Sequence, residues 1–419
     1  MADECETLAR VDTHAEGGRR LLLGAFGDPG HAFPMLALGE RLVARGHQVT
    51  LQTWGRWRGF VEAAGMAFVP APEYQVFPTR RRPLKPYAAA VRAAHETAPL
   101  IADVRPDAVV ADILTLAPAL AGEVAGVPVA TLVPHVLPVG TPGFPPYSMG
   151  ARIPRTAAGR VAWRALARPL AGGLNRGREE LNGTRARLGL APLDWTHGGI
   201  SRQLCLVATL PELEYPRPWP RWARVVGPLM WEPPAEPVQP PPGDDPLVLV
   251  APSTSQDRRH RLVRAALEGL ADLPVRVLAA TNRRGQPLPD VDVPPNARLV
   301  DWLSYARTMP ECDVVVCHGG HGTVVRALTS GSAVIACPAA GDMYENAARI
   351  AWAGVGARIP RRFCTPRAVR LAVTRVLADP AIRARAAAVA ERAAAHDAPT
   401  RAALEIEAFA GAATSIPST

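Results

Sequence analysis

CHGGHGTVVRALTSG, residues 317–331, decides how this 419-residue chain is read. It leaves an apolar run from Asp313 to Cys317, turns through three glycines and starts a helix near Thr323. Glycines let backbone come close to a ligand, and the amides at a helix N-terminus attract an anion. His318 and Thr323 add side-chain donors to the same spot, and Gly320 and Gly322 leave its backbone bare. No Lys follows the last glycine, so this is not a Walker loop, and the spacing is not GxGxxG. Taken alone, the segment is either an anion-binding loop or a plain glycine turn between strand and helix.

On either side, short apolar runs alternate with longer helical stretches. RRLLLGAFG (19–27) reads as a buried strand, followed by a helix from about Pro34 to Arg45, a stop at Gly46, and a second strand in HQVTLQT. MAFVPAP, DAVVAD and VPVATLVPH supply three more strands. After residue 246 the rhythm repeats with LVLVAPS, VRVLAAT, ARLVDW, DVVVCHGG and AVIACPA. Strands this continuously apolar are expected in a parallel sheet covered by helices on both faces. Between the halves, residues 228–246 hold eight prolines in nineteen positions, which excludes a central strand or a helix interior. The fold class is therefore α/β, with two doubly wound Rossmann-like domains facing across a cleft. The expected boundaries are a flexible leader at 1–18, a first domain at 19–227, a stiff linker at 228–246, a second domain at 247–378, C-terminal helices at 379–410 and a flexible tail at 411–419.

Composition narrows the partners. With 48% apolar side chains the chain is too hydrophobic to be disordered, yet no stretch approaches the ~20 apolar residues of a membrane span. The first twenty residues are polar and lack the apolar run of a secretory signal, so neither a membrane-spanning nor an exported protein is expected. The formal charge is +9, and every basic residue but Lys85 is arginine. Nine arginines against two glutamates fall between Arg152 and Arg187. Trp163 is the lone aromatic among them and no reading motif accompanies them, so nucleic acid is not expected as a partner. Arg160, Arg164 and Arg168, with Val161, Leu166 and Leu170 facing elsewhere, form either a solvated helix face or a basic surface for a phospholipid or an acidic carrier. Arg80-Arg81-Arg82 is a charged loop or a ligand contact. Cys5, Cys205, Cys312, Cys317, Cys337 and Cys364 show no metal-type spacing and read as buried thiols of a reducing, cytoplasmic compartment.

The order HGGxGT, ALxxG, a buried strand ending in Pro338, then Gly341-Asp342, Asn346-Ala347 and a GxG turn resembles the nucleotide-sugar signature of GT-B glycosyltransferases over residues 298–358. The first half agrees: GDPGHAFP (27–34) is similar to the GxxGHxxP that carries the family's catalytic histidine, and residues 105–129 resemble the segment with the aspartate that orients it. The resemblance implies an inverting, nucleotide-sugar-dependent hexosyltransferase-type enzyme needing neither cofactor nor metal. His31 would be the base and Asp112 its carboxylate, while His318, Gly320, Gly322 and Thr323 would hold the diphosphate. Trp302 would stack on the base or simply pack in the core. Ser253, Thr254 and Ser255 would contact phosphate or cap a helix. Asp342 and His321 would meet the donor sugar, and Phe144 and Tyr147, in the Pro/Gly-rich loop 134–150, would line the acceptor pocket.

Three departures from the family pattern bear on the donor. Met343 replaces a glutamine contact to the sugar, Arg326 a glutamate gripping the ribose, and Tyr305 a glutamine near it. Together they favour a TDP-deoxysugar over UDP-glucose, and GDMYENAAR looks most like bacterial secondary-metabolite enzymes of the enediyne, calicheamicin-type group. The expected partners are a sugar nucleotide and a small natural product such as a polyketide or enediyne aglycone, as in antibiotic biosynthesis, with a homodimer left open. A membrane-docking lipid glycosyltransferase and a catalytically silent scaffold of the same fold are the competing readings.

Overall fold

The computed structural model describes residues 18–71, 86–253, 257, 259–283, 285, 288 and 290–414. The first half runs β1 (Arg20–Gly24), α1 (Pro29–Ala44), β2 (Gln48–Thr53), α2 (Arg58–Ala63), β3 (Ala67–Pro70), α3 (Pro86–Val104), β4 (Ala108–Asp112), α4 (Leu116–Val124), β5 (Val129–Val133), α5 (Ala157–Arg187), β6 (Leu204–Val207) and β7 (Ala223–Val225). The second runs β8 (Leu247–Ala251), α6 (Arg261–Leu270), β9 (Arg276–Ala280), β10 (Ala297–Val300), α7 (Tyr305–Thr308), β11 (Val314–Cys317), α8 (His321–Thr329), β12 (Ala333–Ala336), α9 (Met343–Ala353), β13 (Gly356–Arg358), α10 (Pro366–Ala378), α11 (Pro380–Ala394) and α12 (Ala398–Thr414).

The strands form two parallel sheets, ordered β3-β2-β1-β4-β5-β6-β7 and β10-β9-β8-β11-β12-β13, as the alternating pattern predicts. Leu21, Leu22 and Leu23 are successive and all fully buried, which requires cover on both faces of β1. Strand order reverses between β1 and β4 and again between β8 and β11, and at such switch points the carboxyl edge opens into a crevice. The sequence motifs follow β1, β4, β8 and β11, so they gather at those two edges.

Several local expectations shift. α1 begins at Pro29 rather than near Pro34, because Pro29 supplies the fixed φ suited to the first helical position. His31 therefore stands on the first turn of a helix, not in a loop. α8 starts at His321, two residues early, and β6 and β7 are strands the sequence reading passed over. The tail expected from 411 is not one at its start: α12 continues to Thr414, with Ala402, Ala403, Ile406 and Ala410 buried in the first-half core beside Leu36 and Leu38. Glu407 fixes it there, accepting hydrogen bonds from Arg45 Nε at 2.6 Å and Nη2 at 2.9 Å and pairing with His47 Nε2 at 2.8 Å. In the first half of α5, Val161 and Leu166 are exposed. The expected leader up to residue 17, Arg80–Arg82 and residues 415–419 lie outside the described residues, as do the side chains of Arg168 and Leu170.

The proline-rich segment carries neither helix nor strand, but it is more than a spacer. Trp231 packs on Phe33 and Phe60, at centroid distances of 5.0 and 5.3 Å, and its indole N–H donates to Glu40 at 2.6 Å. Next to it, Glu232 turns to the second half, accepting from the Ala306 amide at 3.1 Å and from the Ser304 hydroxyl.

A buried cation ties the halves together. Arg349 on α9 is 2% exposed, donates from Nη1 to the Leu213 carbonyl at 2.6 Å and lies 3.3 Å from Glu214 Oε2. Its Nε donates to Glu345 at 2.9 Å, and the guanidinium lies 3.8 Å from the Tyr215 ring centroid. Glu214 in turn accepts from the Leu137 amide at 2.6 Å. Removing one member of such a buried set leaves the others charged and unpaired, at a cost of about 3–5 kcal/mol. Arg349→Ala should therefore lower apparent stability by about that much in denaturant titration; a loss below about 1 kcal/mol, the range of an exposed pair, would contradict this role.

Candidate active site

His31 reaches from the first turn of α1 to the end of β4, where its Nδ1 lies 2.7 Å from Asp112 Oδ1. The Asp112 side chain is fully buried and that of His31 only 18% exposed. The other oxygen, Oδ2, accepts from the amides of Phe26 and Leu114 at 3.4 and 3.3 Å and from the Thr115 hydroxyl at 3.3 Å. With the carboxylate so held, the Nδ1–H tautomer is favoured and Nε2 keeps its lone pair, which meets no hydrogen-bond partner among the described residues. Burial lowers the His31 pKa, but the Asp112 carboxylate, helped by Asp28 and Asp342, holds it above the ordinary imidazole value.

Across the crevice, β11 ends at Cys317 and the chain turns through Gly319 at φ +81°, a left-handed conformation suited to glycine. A Cβ on Gly320 would sit 2.4 Å from the His318 ring, so this glycine lets the imidazole fold back over its own loop. His318 Nδ1 lies 3.2 Å from the Ala251 carbonyl, and burial lowers its pKa. Gly320 caps α8, whose first intrahelical bond runs from the Val324 amide to the Gly320 carbonyl at 3.0 Å. The amides of Gly322 and Thr323 thus belong to the open first turn, where partial positive charge concentrates. Gly322 is exposed and Thr323 half-buried.

Asp342, at the start of α9, joins the two sides. Its negative charge adds to the upward shifts of His31 and Tyr147 and partly offsets the burial that lowers the pKa of His135 and His318. First-half and second-half groups therefore surround one carboxylate. Tyr147 stacks on His135, with centroids 5.5 Å apart and planes at 17°, whereas Phe144 sits farther along, 6.4 Å from Tyr215. Trp302 is half-buried between β10 and α7, and Ser253 is buried just past β8; Thr254 and Ser255 lie outside the described residues. His321, on the first turn of α8, is buried. Its Nδ1 is 3.3 Å from Asn346 Oδ1, its Nε2 is buried with no hydrogen-bond partner among the described residues, and burial drives its pKa down to about 3.

The departures acquire a setting. Arg326 donates to the Trp231 carbonyl at 3.2 Å and lies 3.8 Å from Glu232, so its guanidinium is tied to the linker. The Tyr305 hydroxyl accepts from Asn282 Nδ2 at 2.7 Å, and the same amide donates to the Pro252 carbonyl at 2.8 Å. A cavity of about 880 Å³ opens beside His318 between α6 and α10; Arg261, Arg361, Cys337 and Cys364 line it, but His31 does not. His135, Asn282 and the Glu214–Arg349 pair went unnoticed in the sequence. Only His135 carried a signal, standing two residues past β5 at the edge that also presents Asp112.

Two facing parallel-sheet domains with these groups across their crevice make up the GT-B architecture. Residues 264–409 match the erythromycin biosynthesis protein CIII-like C-terminal domain. The chain is 30% identical over 421 residues to 4'-demethylrebeccamycin synthase of Lentzea aerocolonigenes, covering 91% of this chain and 97% of that protein. Among solved structures, the calicheamicin glycosyltransferase CalG4 superposes with a TM-score of 0.71 at 25% identity, covering 94% of this chain and 98% of that one. The glycosyltransferase VinC, solved in complex with dTDP, gives 0.68 at 18% identity, covering 94% and 100%. The chain belongs to this family of natural-product glycosyltransferases, with an erythromycin CIII-like C-terminal domain.

Asp112→Asn removes the charge that lifts His31, so the imidazole should titrate at lower pH in the variant than in the parent. Ring-proton NMR checks this; an unchanged midpoint would show that some other group sets it.

Proposed function

We propose that this glycosyltransferase moves a deoxysugar from a TDP-sugar to a hydroxyl of a small natural product, inverting the anomeric centre and using no metal. The observation that carries the reading is the 2.7 Å His31–Asp112 pair, whose Nε2 is left open beside the crevice. An acceptor hydroxyl is a poor nucleophile until its proton is being removed, and a positioned imidazole performs that task near neutral pH. As the acceptor oxygen bonds to the anomeric carbon, its proton passes to Nε2 and the bond to the diphosphate breaks, its electron pair leaving on the TDP oxygen. Asp112 steadies the imidazolium so formed. Attack opposite the leaving group inverts the configuration.

Charge on the departing diphosphate would be met by His318 and by the open amides of Gly322 and Thr323 at the N-terminus of α8. Trp302 would stack on the thymine and Ser253 would add a phosphate contact, while Asp342 would take hydroxyls of the sugar. The position of Arg326, already engaged with Glu232 and Trp231, offers no ribose-gripping carboxylate of its own, which suits a nucleotide without a 2′-OH. VinC, solved in complex with dTDP, supports the same nucleotide. Phe144 and Tyr147 would border the acceptor, an aglycone with apolar rings.

A donor panel of TDP- and UDP-sugars against several aglycones, read by mass increase, tests this. TDP-sugars should be used, the product anomer should be inverted by NMR, and His31→Ala should reduce kcat/KM by about 10²–10⁴-fold. Intact turnover in His31→Ala, or UDP-glucose as the sole donor used, would overturn it. Because the base must be neutral and its pKa is raised, kcat/KM should climb with pH and level off above the ordinary imidazole value.

A further inference from the structure

His135 has no part in the scheme above, yet it stands in the same crevice. It lies two residues beyond β5, and β5 neighbours β4, whose last residue is Asp112. His31 leans over the β4 end to reach that carboxylate, so the two imidazoles are neighbours, close enough for a charge on His31 to lower the His135 pKa. Burial is the larger cause that holds its pKa below the ordinary imidazole value, so His135 is neutral at neutral pH.

Its tautomer is set by its surroundings. Nδ1 lies 2.8 Å from the Val136 carbonyl, which can only accept, so Nδ1 carries the proton. The Tyr147 hydroxyl, 3.3 Å from Nδ1, shares that donor, and the stacked Tyr147 ring fixes the plane of the imidazole. Nε2 is then a lone-pair acceptor. It meets no hydrogen-bond partner among the described residues, and it is absent from their buried unpaired atoms, unlike His321 Nε2. The half-buried ring therefore presents this acceptor to the crevice.

Two imidazoles at the ends of neighbouring strands thus each keep an Nε2 lone pair, one poised to remove a proton and the other able only to accept a hydrogen bond. We propose that His135 Nε2 is a specificity-determining acceptor that holds a second hydroxyl or N–H adjacent to the hydroxyl being glycosylated, so that the chain selects vicinal diols or amino-alcohols over mono-hydroxy acceptors. The proposal rests on the glycosyltransferase reading of this crevice. An acceptor lacking the second donor leaves Nε2 desolvated and unpaired, which is the origin of the discrimination.

The test compares 2,3-dihydroxynaphthalene with 2-naphthol, in turnover with a TDP-sugar and, independently, in calorimetric binding to the protein saturated with TDP. Wild type should favour the diol by about tenfold in both. His135→Asn keeps a donor for the Val136 carbonyl but deletes the Nε2 acceptor, and should bring the ratio to within about twofold. His135→Gln places an acceptor near the Nε2 position and should restore part of the preference. No preference in wild type, an undiminished preference in His135→Asn, or failure of both naphthols to bind would overturn the proposal. Selective binding without transfer of sugar would sustain it while removing the proposed reaction, and unselective transfer would do the reverse.

Discussion

The buried guanidinium of Arg349 is the contact on which the rest of the arrangement depends. It projects from the second half into a pocket closed by Leu213, Glu214 and Tyr215 of the first. Glu214 also accepts from the Leu137 amide, at the start of the loop that carries Phe144 and Tyr147. One charged group thereby fixes the angle between the sheets and the root of that loop. Burial raises the Glu214 pKa while Arg349 and Arg217 pull it back, so the carboxylate needs these cations as much as they need it. Trp231 and Glu232 on the linker, and α12 returning to the first core, hold the same geometry from the opposite side.

Within that frame, four imidazoles share a crevice and are driven apart chemically. Burial lowers the pKa of His135, His318 and His321. His31 is as much enclosed by protein, but it alone has a hydrogen-bonded carboxylate, and its pKa rises. Environment therefore selects one base from four chemically identical rings, which is how acid–base roles separate when residue type does not distinguish them. Of the three, His135 and His318 stand near the negative charge of Asp342, while His321 is enclosed beside Asn346.

Much of this was legible in the sequence because local rules produce it. Continuous runs such as LLL and VVV force two-sided burial, and the glycine turn after Cys317 announces a strand feeding a helix. The His31 and Asp112 motifs sit at the ends of adjacent strands, so parallel topology alone brings them together. What escaped depends on contacts between distant segments. The Arg349–Glu214 pair spans 135 positions and follows from no periodicity. α12 looks like any alanine-rich helix until it packs on α1, and β6 and β7 are too short to stand out. His321, which the resemblance assigns to the donor sugar, is buried on the first turn of α8 beside Asn346, a contact 25 positions away that no local pattern announces.

The most direct check is a crystal structure of the protein with TDP bound. The diphosphate should lie on the open amides of Gly322 and Thr323 beside His318, with its terminal phosphate directed toward the His31 side of the crevice. Density for the nucleotide in the arginine-lined cavity between α6 and α10, pointing away from His31, would contradict it.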